Sequence, residues 1–158
     1  MHFNQNVVFL SGVFLLGIAG CDSTLDRPIH FKIPNGFSGP ILLLNSDTFP
    51  AAIQKTTSAY VVTIPNSGVL RLSDAKIFRR WHRTQASYMD GTRLSVWGEN
   101  ADVRFHECST GTSNNHTYDW FFVGSEAERD SFFALAGMEK EEAWLRERGI
   151  KSRYTRGT

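Results

Sequence analysis

The chain has 158 residues, of which 17 are basic, 16 are acidic and 13% are aromatic. This composition argues against a wholly disordered chain, because there are enough apolar side chains to build a core. The formal net charge of +1 gives no reason to expect nucleic acid or another strongly charged partner. The length fits one folded domain.

The first element is an apolar segment, residues 7–20, that ends at Cys21. It is too short to cross a bilayer as a helix, which takes roughly 20 apolar residues. Its length is typical of the hydrophobic region of a signal peptide. The sequence Ile18-Ala19-Gly20-Cys21 resembles the lipobox of bacterial lipoproteins. This resemblance implies cleavage before Cys21, a diacylglyceryl group on its thiol, and an acyl chain such as palmitate on the freed amine.

One observation keeps alternatives open for this segment. Signal peptides carry a positively charged start, whereas only His2 stands in that position here. Either the true start lies upstream or the signal functions without a formal charge. The other alternative is a buried apolar strand or helix with a chance cysteine.

The sequence therefore predicts four parts. Residues 1–20 are a signal peptide, 21–27 a lipidated tether, 28–150 a single β-rich domain with C-terminal helices, and 151–158 a flexible basic tail. A seven-residue tether spans at most roughly 25 Å, so the domain is expected close to a membrane. The predicted location is the bacterial cell envelope, with the lipid-anchored domain facing the periplasm or the cell exterior.

Strands dominate the predicted domain. Residues 29–33 alternate between apolar and polar, which predicts a half-buried strand, and the apolar run 40–44 predicts a strand buried on both faces. Asp90-Gly91 between two strand-like runs predicts a hairpin. Further strands are predicted at residues 60–64, 69–72, 86–89, 93–97, 103–108 and 118–123. Residues 48–57 and 109–115 have loop composition, and residues 77–83 form an irregular segment able to pair with a neighbouring strand.

The period of the pattern changes to that of a helix near the C-terminus. Ser125 and Glu128 have the spacing of a capping box at a helix start. A second helical segment covers about residues 139–148, and Gly149 is suited to end it. The predicted fold is mainly β, a β-sandwich or small barrel of about seven strands with a C-terminal helical addition.

Three short pieces resemble an uncharacterised family of bacterial envelope lipoproteins. They are the strand end at residues 31–39, the turn Ile64-Pro65-Asn66-Ser67-Gly68, and the segment Phe121-Phe122-Val123-Gly124-Ser125. The similarity covers about residues 31–133. Its motifs are structural, so the resemblance implies a fold and a compartment and assigns no functional residue.

His106, Cys108, His116 and Asp119 are the candidates for a metal-binding or hydrolytic site, as an alternative function. Zinc ligands usually have tighter, repeated spacing, so the simpler interpretation is a surface histidine beside a partly buried thiol. If Cys21 carries lipid, Cys108 has no partner in the chain. A lone thiol in an oxidising compartment is either buried or available for an intermolecular bond, and burial is the usual state.

A second candidate surface is the basic cluster Arg79, Arg80, Trp81 and Arg83. It could contact anionic lipid headgroups or another envelope polymer. Alternatively, its charges protect an edge strand from aggregation. With no reactive constellation evident, the predicted function is a membrane-anchored envelope lipoprotein, a non-enzymatic binding or assembly module with an envelope protein or polymer as partner. No metal and no cofactor other than the lipid on Cys21 is expected.

Overall fold

The computed structural model describes residues 27–45, 48–49, 53–73, 76–79, 82–96, 101–113, 116–134 and 138–150. The predicted signal peptide, Cys21 and the basic tail lie outside these residues. The described part contains nine strands and two α-helices.

The strands form two sheets. They are β1 (Ile29–Ile33), β2 (Gly39–Asn45), β3 (Ile53–Lys55), β4 (Tyr60–Thr63), β5 (Val69–Leu72), β6 (Thr84–Tyr88), β7 (Arg93–Leu94), β8 (Arg104–Ser113) and β9 (His116–Gly124). The five-stranded sheet has the order β3-β4-β1-β6-β7, and the four-stranded sheet has the order β5-β2-β9-β8. The chain passes repeatedly from one sheet to the other. Within the described residues neither sheet closes into a barrel, so the sandwich alternative is the one confirmed.

The pairing includes parallel strands. β1 pairs in parallel with both β4 and β6, and β2 pairs in parallel with β5. Between the two strands of each parallel pair the chain forms at least one strand of the opposite sheet, so the crossover passes through that sheet. The hairpins β6–β7 and β8–β9 are antiparallel, and the first contains the predicted Asp90-Gly91 turn.

The main core lies between the two sheets. Phe31 at its centre is fully buried, and its ring centroid lies 4.7 Å from that of Phe105 and 4.9 Å from that of Phe121. Ile41 and Leu43 enter the same core, whereas Leu42 points to the opposite face of the sheet. The strand predicted to be buried on both faces is confirmed.

The two helices cover the outer face of the four-stranded sheet. Helix α1 (Glu126–Phe133) begins with the predicted capping box of Ser125 and Glu128. Helix α2 (Met138–Glu147) ends in a Schellman motif, in which Gly149 at φ 65° donates to the Arg146 carbonyl and Ile150 donates to the Leu145 carbonyl. Trp120, Leu42 and Leu145 are the buried centre of this second core.

Three expected elements differ from the structure. Residues 53–55, predicted as loop, form β3, because Ile53 packs on the main core and pairs with Val62. Residues 109–113, also predicted as loop, continue β8, because cross-strand pairing with β9 holds them extended. The segment predicted to pair from residue 77 onward instead begins with a 3₁₀ turn, Lys76–Arg79, because Ile77 and Phe78 both pack against the core.

The three pieces that resemble the lipoprotein family meet at one corner of the sandwich. Ser38 donates a hydrogen bond of 3.0 Å to the Val123 carbonyl. Gly68 has φ +72°, and a Cβ there would lie 2.6 Å from the Pro40 carbonyl oxygen. The Gly68 carbonyl in turn accepts from the Leu42 amide at 2.8 Å. These motifs therefore specify chain geometry, in agreement with their interpretation as structural.

Candidate functional site

A row of polar side chains crosses the outer face of the five-stranded sheet. Lys32 of β1 pairs with Ser87 of β6, and Ser87 pairs with Arg93 of β7. The alternate residues of these strands, Phe31 and Ala86, are buried in the main core. Because successive side chains of a strand point to opposite faces, Lys32, Ser87 and Arg93 lie side by side on the face away from the core.

Ser87 is the centre of this row and is only 3% exposed. Its Oγ lies 3.0 Å from Lys32 Nζ, which donates, and 3.0 Å from His30 Nε2. Burial lowers the pKa of His30, and the positive charges of Lys32 and Arg93 lower it further. The imidazole is therefore biased toward its neutral form.

These residues line a cavity of about 380 Å³. None of its described lining residues is acidic. Glu107 contacts the lining from the core side of the sheet, since it accepts a hydrogen bond from Thr84, which lies on the same face of β6 as the core residue Ala86. The Oγ of Ser95, another lining residue, is buried without a hydrogen-bond partner in the described part of the chain. The cavity thus offers donors and positive charge.

The Ser87–His30 contact does not make a complete catalytic arrangement. A serine nucleophile needs a base that is oriented by a third group. Within the described residues, no carboxylate hydrogen-bonds His30, and its nearby charges are both positive. The arrangement is better suited to holding a ligand than to activating a hydroxyl.

The predicted set of His106, Cys108 and Asp119 is divided between two faces of the β8–β9 hairpin. Asp119 lies on the same face of β9 as Phe121 and Val123, which enter the main core, whereas Cys108 packs into the second core under the helices. The side chain of His116, the fourth member, lies outside what the structure describes. Among the described residues, no three histidine, cysteine or acidic side chains come together as metal ligands.

His106 is buried rather than on the surface, contrary to the simpler interpretation of the sequence. It is 8% exposed, with Nε2 3.0 Å from the Gly124 carbonyl oxygen and Nδ1 3.2 Å from an Arg129 guanidinium nitrogen. Arg129 also forms salt bridges with Glu126 and Asp130. His106 therefore connects β8 to the start of α1, which is a structural role.

Cys108 lies at the irregularity of β8, where the register shifts between Glu107 and Ser109. Its thiol is half-buried beside the second core. Burial raises the pKa of the Cys108 thiol to about 12, even though Arg129 acts in the opposite direction. A thiol that stays protonated is a poor nucleophile and a poor metal ligand.

We expect Cys108 to react slowly with iodoacetamide. In the Cys21→Ser variant, Cys108 is the only cysteine. At pH 8 a pKa of about 12, against the ordinary 9.0, reduces the thiolate fraction roughly a thousandfold. The measurement is the alkylation rate by mass spectrometry, with the unfolded chain in denaturant as the reference. Equal rates in folded and unfolded chains would contradict this environment.

Asp119 is 6% exposed and accepts a 2.6 Å hydrogen bond from Thr110 Oγ1. Burial raises its pKa, whereas the Thr110 hydrogen bond and the charges of Arg79 and His82 lower it. Asp119 is therefore part of a polar group at the edge of the main core that includes the 3₁₀ turn. Nothing in the sequence pattern connects Asp119 with Arg79.

The predicted basic cluster is only partly described. Arg79 ends the 3₁₀ turn and Arg83 immediately precedes β6, and both are exposed. Arg80 and Trp81 lie outside the described residues. The described members of the cluster do not lie on an edge strand, because Arg79 ends a 3₁₀ turn and β6, which follows Arg83, lies inside the sheet between β1 and β7.

The row of Lys32, Ser87 and Arg93 was not predicted from the sequence as a site. The alternation in β1 already placed His30 and Lys32 on one face, and this was the available signal. The partners come from strands more than 50 positions away along the chain. Their register with β1 is set by packing of the core residues on the opposite face.

No helix in the described part of the chain has the length and hydrophobicity needed to span a bilayer. The lipidation site, Cys21, lies outside that part.

Comparisons with known proteins give one structural similarity. No protein-family model matches the sequence, and no curated protein matches it significantly. A crystal structure of a "Putative Lipoprotein" from Bacillus anthracis is similar with a TM-score of 0.44 and 16% sequence identity. The alignment covers 78% of this chain and 94% of that protein.

Proposed function

We propose that the chain is a lipid-anchored module of the bacterial cell envelope, facing the periplasm or the cell exterior. It binds or assembles with an envelope protein or polymer and catalyses no reaction. The observation that carries this proposal is the apolar segment that ends in Ile18-Ala19-Gly20-Cys21. The seven residues from Cys21 to Arg27 span at most roughly 25 Å, and strand β1 begins at Ile29, so lipid on Cys21 would keep the sandwich close to the membrane.

The distribution of the reactive side chains argues against the alternative function of a metal-binding protein or hydrolase. His106 and Cys108 serve the packing of α1 and of the second core, and Asp119 lies on the opposite face of the hairpin. A metal-binding protein or hydrolase would need these groups to converge at one cavity. The alternative function therefore has less support than a module that presents surfaces to a partner.

Crosslinking in intact envelopes tests the binding role. A photoreactive residue replaces Arg83, which is exposed beside the basic cluster, and in a control it replaces Lys55, exposed in strand β3. We expect one reproducible crosslinked band from position 83 and none from position 55. Absence of a crosslink at both positions, together with stoichiometric metal in the purified chain, would favour the alternative function.

The basic cluster is expected to bind anionic headgroups in a salt-sensitive manner. The full chain should associate more with vesicles of phosphatidylcholine and phosphatidylglycerol than with phosphatidylcholine alone, and the difference should disappear at high salt. Replacing Arg79, Arg80 and Arg83 by glutamine should abolish the difference. The measurement is co-sedimentation, in which the lipid anchor contributes equally to both vesicle types.

A matched variant controls for net charge in that experiment. Lys55, Lys140 and Arg146 are exposed, and their replacement by glutamine removes the same three charges. This variant should keep the preference for anionic vesicles. Equal binding of the native chain to both vesicle types at low salt would contradict the headgroup contact.

A further inference from the structure

We propose that Lys32, Ser87 and Arg93 form a binding site for a phosphate group, either free phosphate or the phosphate of a monoester. The site lies on the outer face of the five-stranded sheet. It goes beyond the proposed function and does not depend on whether Cys21 carries lipid.

Positive charge lies on both sides of Ser87. Neighbouring strands are about 4.8 Å apart. Lys32 and Arg93 lie on either side of Ser87, and their side chains are long enough to reach the space above its hydroxyl. Two cations on either side of one residue repel each other, and an anion bound between them offsets this repulsion. Among the described cations, Arg129 is paired with Glu126 and Arg148 with Glu147. No such salt bridge joins Lys32 or Arg93 to a described acidic residue.

The hydrogen bonds that Ser87 accepts leave its hydroxyl hydrogen for a ligand. Lys32 Nζ donates to Ser87 Oγ and occupies one of its two lone pairs. When His30 Nε2 carries the proton, it donates to the other lone pair, and the Ser87 hydroxyl hydrogen is directed to a ligand. The unpartnered Ser95 hydroxyl lies in the same cavity wall.

The donors around the cavity are arranged to suit the oxygens of a phosphate. An ammonium, a guanidinium and a hydroxyl approach the cavity from β1, β7 and β6 respectively. A tetrahedral phosphate presents oxygens toward all three directions, and guanidinium groups bind such oxygens in a bidentate manner. A cavity of about 380 Å³ is large enough for a phosphate together with part of an esterified group.

Titration calorimetry of the full chain in detergent tests the site, with inorganic phosphate and glycerol 3-phosphate as probes. We expect saturable binding of phosphate at concentrations up to about 10 mM. Lys32→Gln and Arg93→Gln should each weaken it about tenfold. Ser87→Ala, which changes no charge, should weaken it several-fold. Circular dichroism of each variant checks that the fold is retained.

Lys55→Gln is the matched control, because it removes one positive charge from the same sheet outside the cavity. It should leave phosphate binding unchanged. Tighter binding of glycerol 3-phosphate than of phosphate would support a phosphate monoester as the ligand, and equal or weaker binding would support free phosphate. No binding of either probe, or equal losses in Lys55→Gln and Lys32→Gln, would overturn the proposal.

Sulfate adds a test of His30, because the charge of sulfate, unlike that of phosphate, does not change between pH 5 and 8. Lys32 and Arg93 are the charges that lower the pKa of this imidazole, and Val61 and Gln85 are its neighbours in register on β4 and β6. A bound anion offsets the two cations and favours protonation of His30, so sulfate should bind more tightly as the pH falls. His30→Gln should remove this dependence. A pH-independent sulfate affinity in the native chain would contradict a role for His30.

Discussion

Replacing Phe31 by alanine is expected to lower the free energy of unfolding by about 3–5 kcal/mol. Phe31 is fully buried between the two sheets and contacts the aromatic rings of Phe78, Phe105 and Phe121. These partners come from the 3₁₀ turn and from both strands of the β8–β9 hairpin. The substitution therefore leaves a cavity where the two sheets meet. Urea denaturation followed by tryptophan fluorescence measures the loss.

Two further variants make this result interpretable. Met89→Ala removes an apolar side chain that is 52% exposed, and we expect it to change the unfolding free energy by less than about 0.5 kcal/mol. Phe31→Leu keeps most of the volume and provides a folded variant if Phe31→Ala does not accumulate. A loss below about 1 kcal/mol for Phe31→Ala would contradict a core that is centred on this residue.

Replacing Cys21 by serine is expected to abolish lipid attachment. Serine has no thiol to accept a diacylglyceryl group. The resemblance to lipoproteins implies that cleavage depends on that modification. The variant should accumulate as a larger, unprocessed precursor or leave the membrane fraction. The effect is large because each buried methylene contributes about 0.8 kcal/mol to anchoring and two or more chains act together. Fractionation and labelling with palmitate measure it.

Cys108→Ser is the matched control for this experiment, because it removes the other cysteine of the chain. Cys108 lies half-buried beside the second core. This variant should keep the native size, the lipid label and the membrane location. Normal size and membrane retention in Cys21→Ser would contradict the anchor.

Features fixed by chemistry within a few residues were predictable from the sequence. The alternation of β1, the Asp90-Gly91 hairpin and the capping box at Ser125 were all confirmed. In each case the residues that determine the conformation are neighbours along the chain. Gly149 is a further example, since a positive φ at the end of α2 favours glycine.

Features fixed by long-range pairing were not predictable. β3 has three residues and exists because β4 provides its hydrogen-bonding partner. The second half of β8 has the composition of a loop, yet its pairing with β9 keeps it extended. His106 has no sequence signal of burial, and its burial follows from the position of α1 on the same sheet face.

Dependence on long-range pairing also explains why the proposed phosphate site was not predictable from the sequence. Lys32, Ser87 and Arg93 have ordinary neighbours in sequence, and their row depends on one parallel and one antiparallel register. A shift of one residue in either pairing would move a member of the row to the opposite face. Only the three-dimensional structure joins them.

The state of Cys21 in the mature chain tests the central claim most directly. Mass spectrometry of the N-terminal peptide, from the chain purified out of bacterial membranes after extraction with detergent, measures it. We predict a peptide that begins at Cys21 and carries the mass of a diacylglyceryl group, with or without an acyl chain on the amine. An unmodified peptide that runs through the Gly20–Cys21 bond in the membrane-derived protein would contradict it.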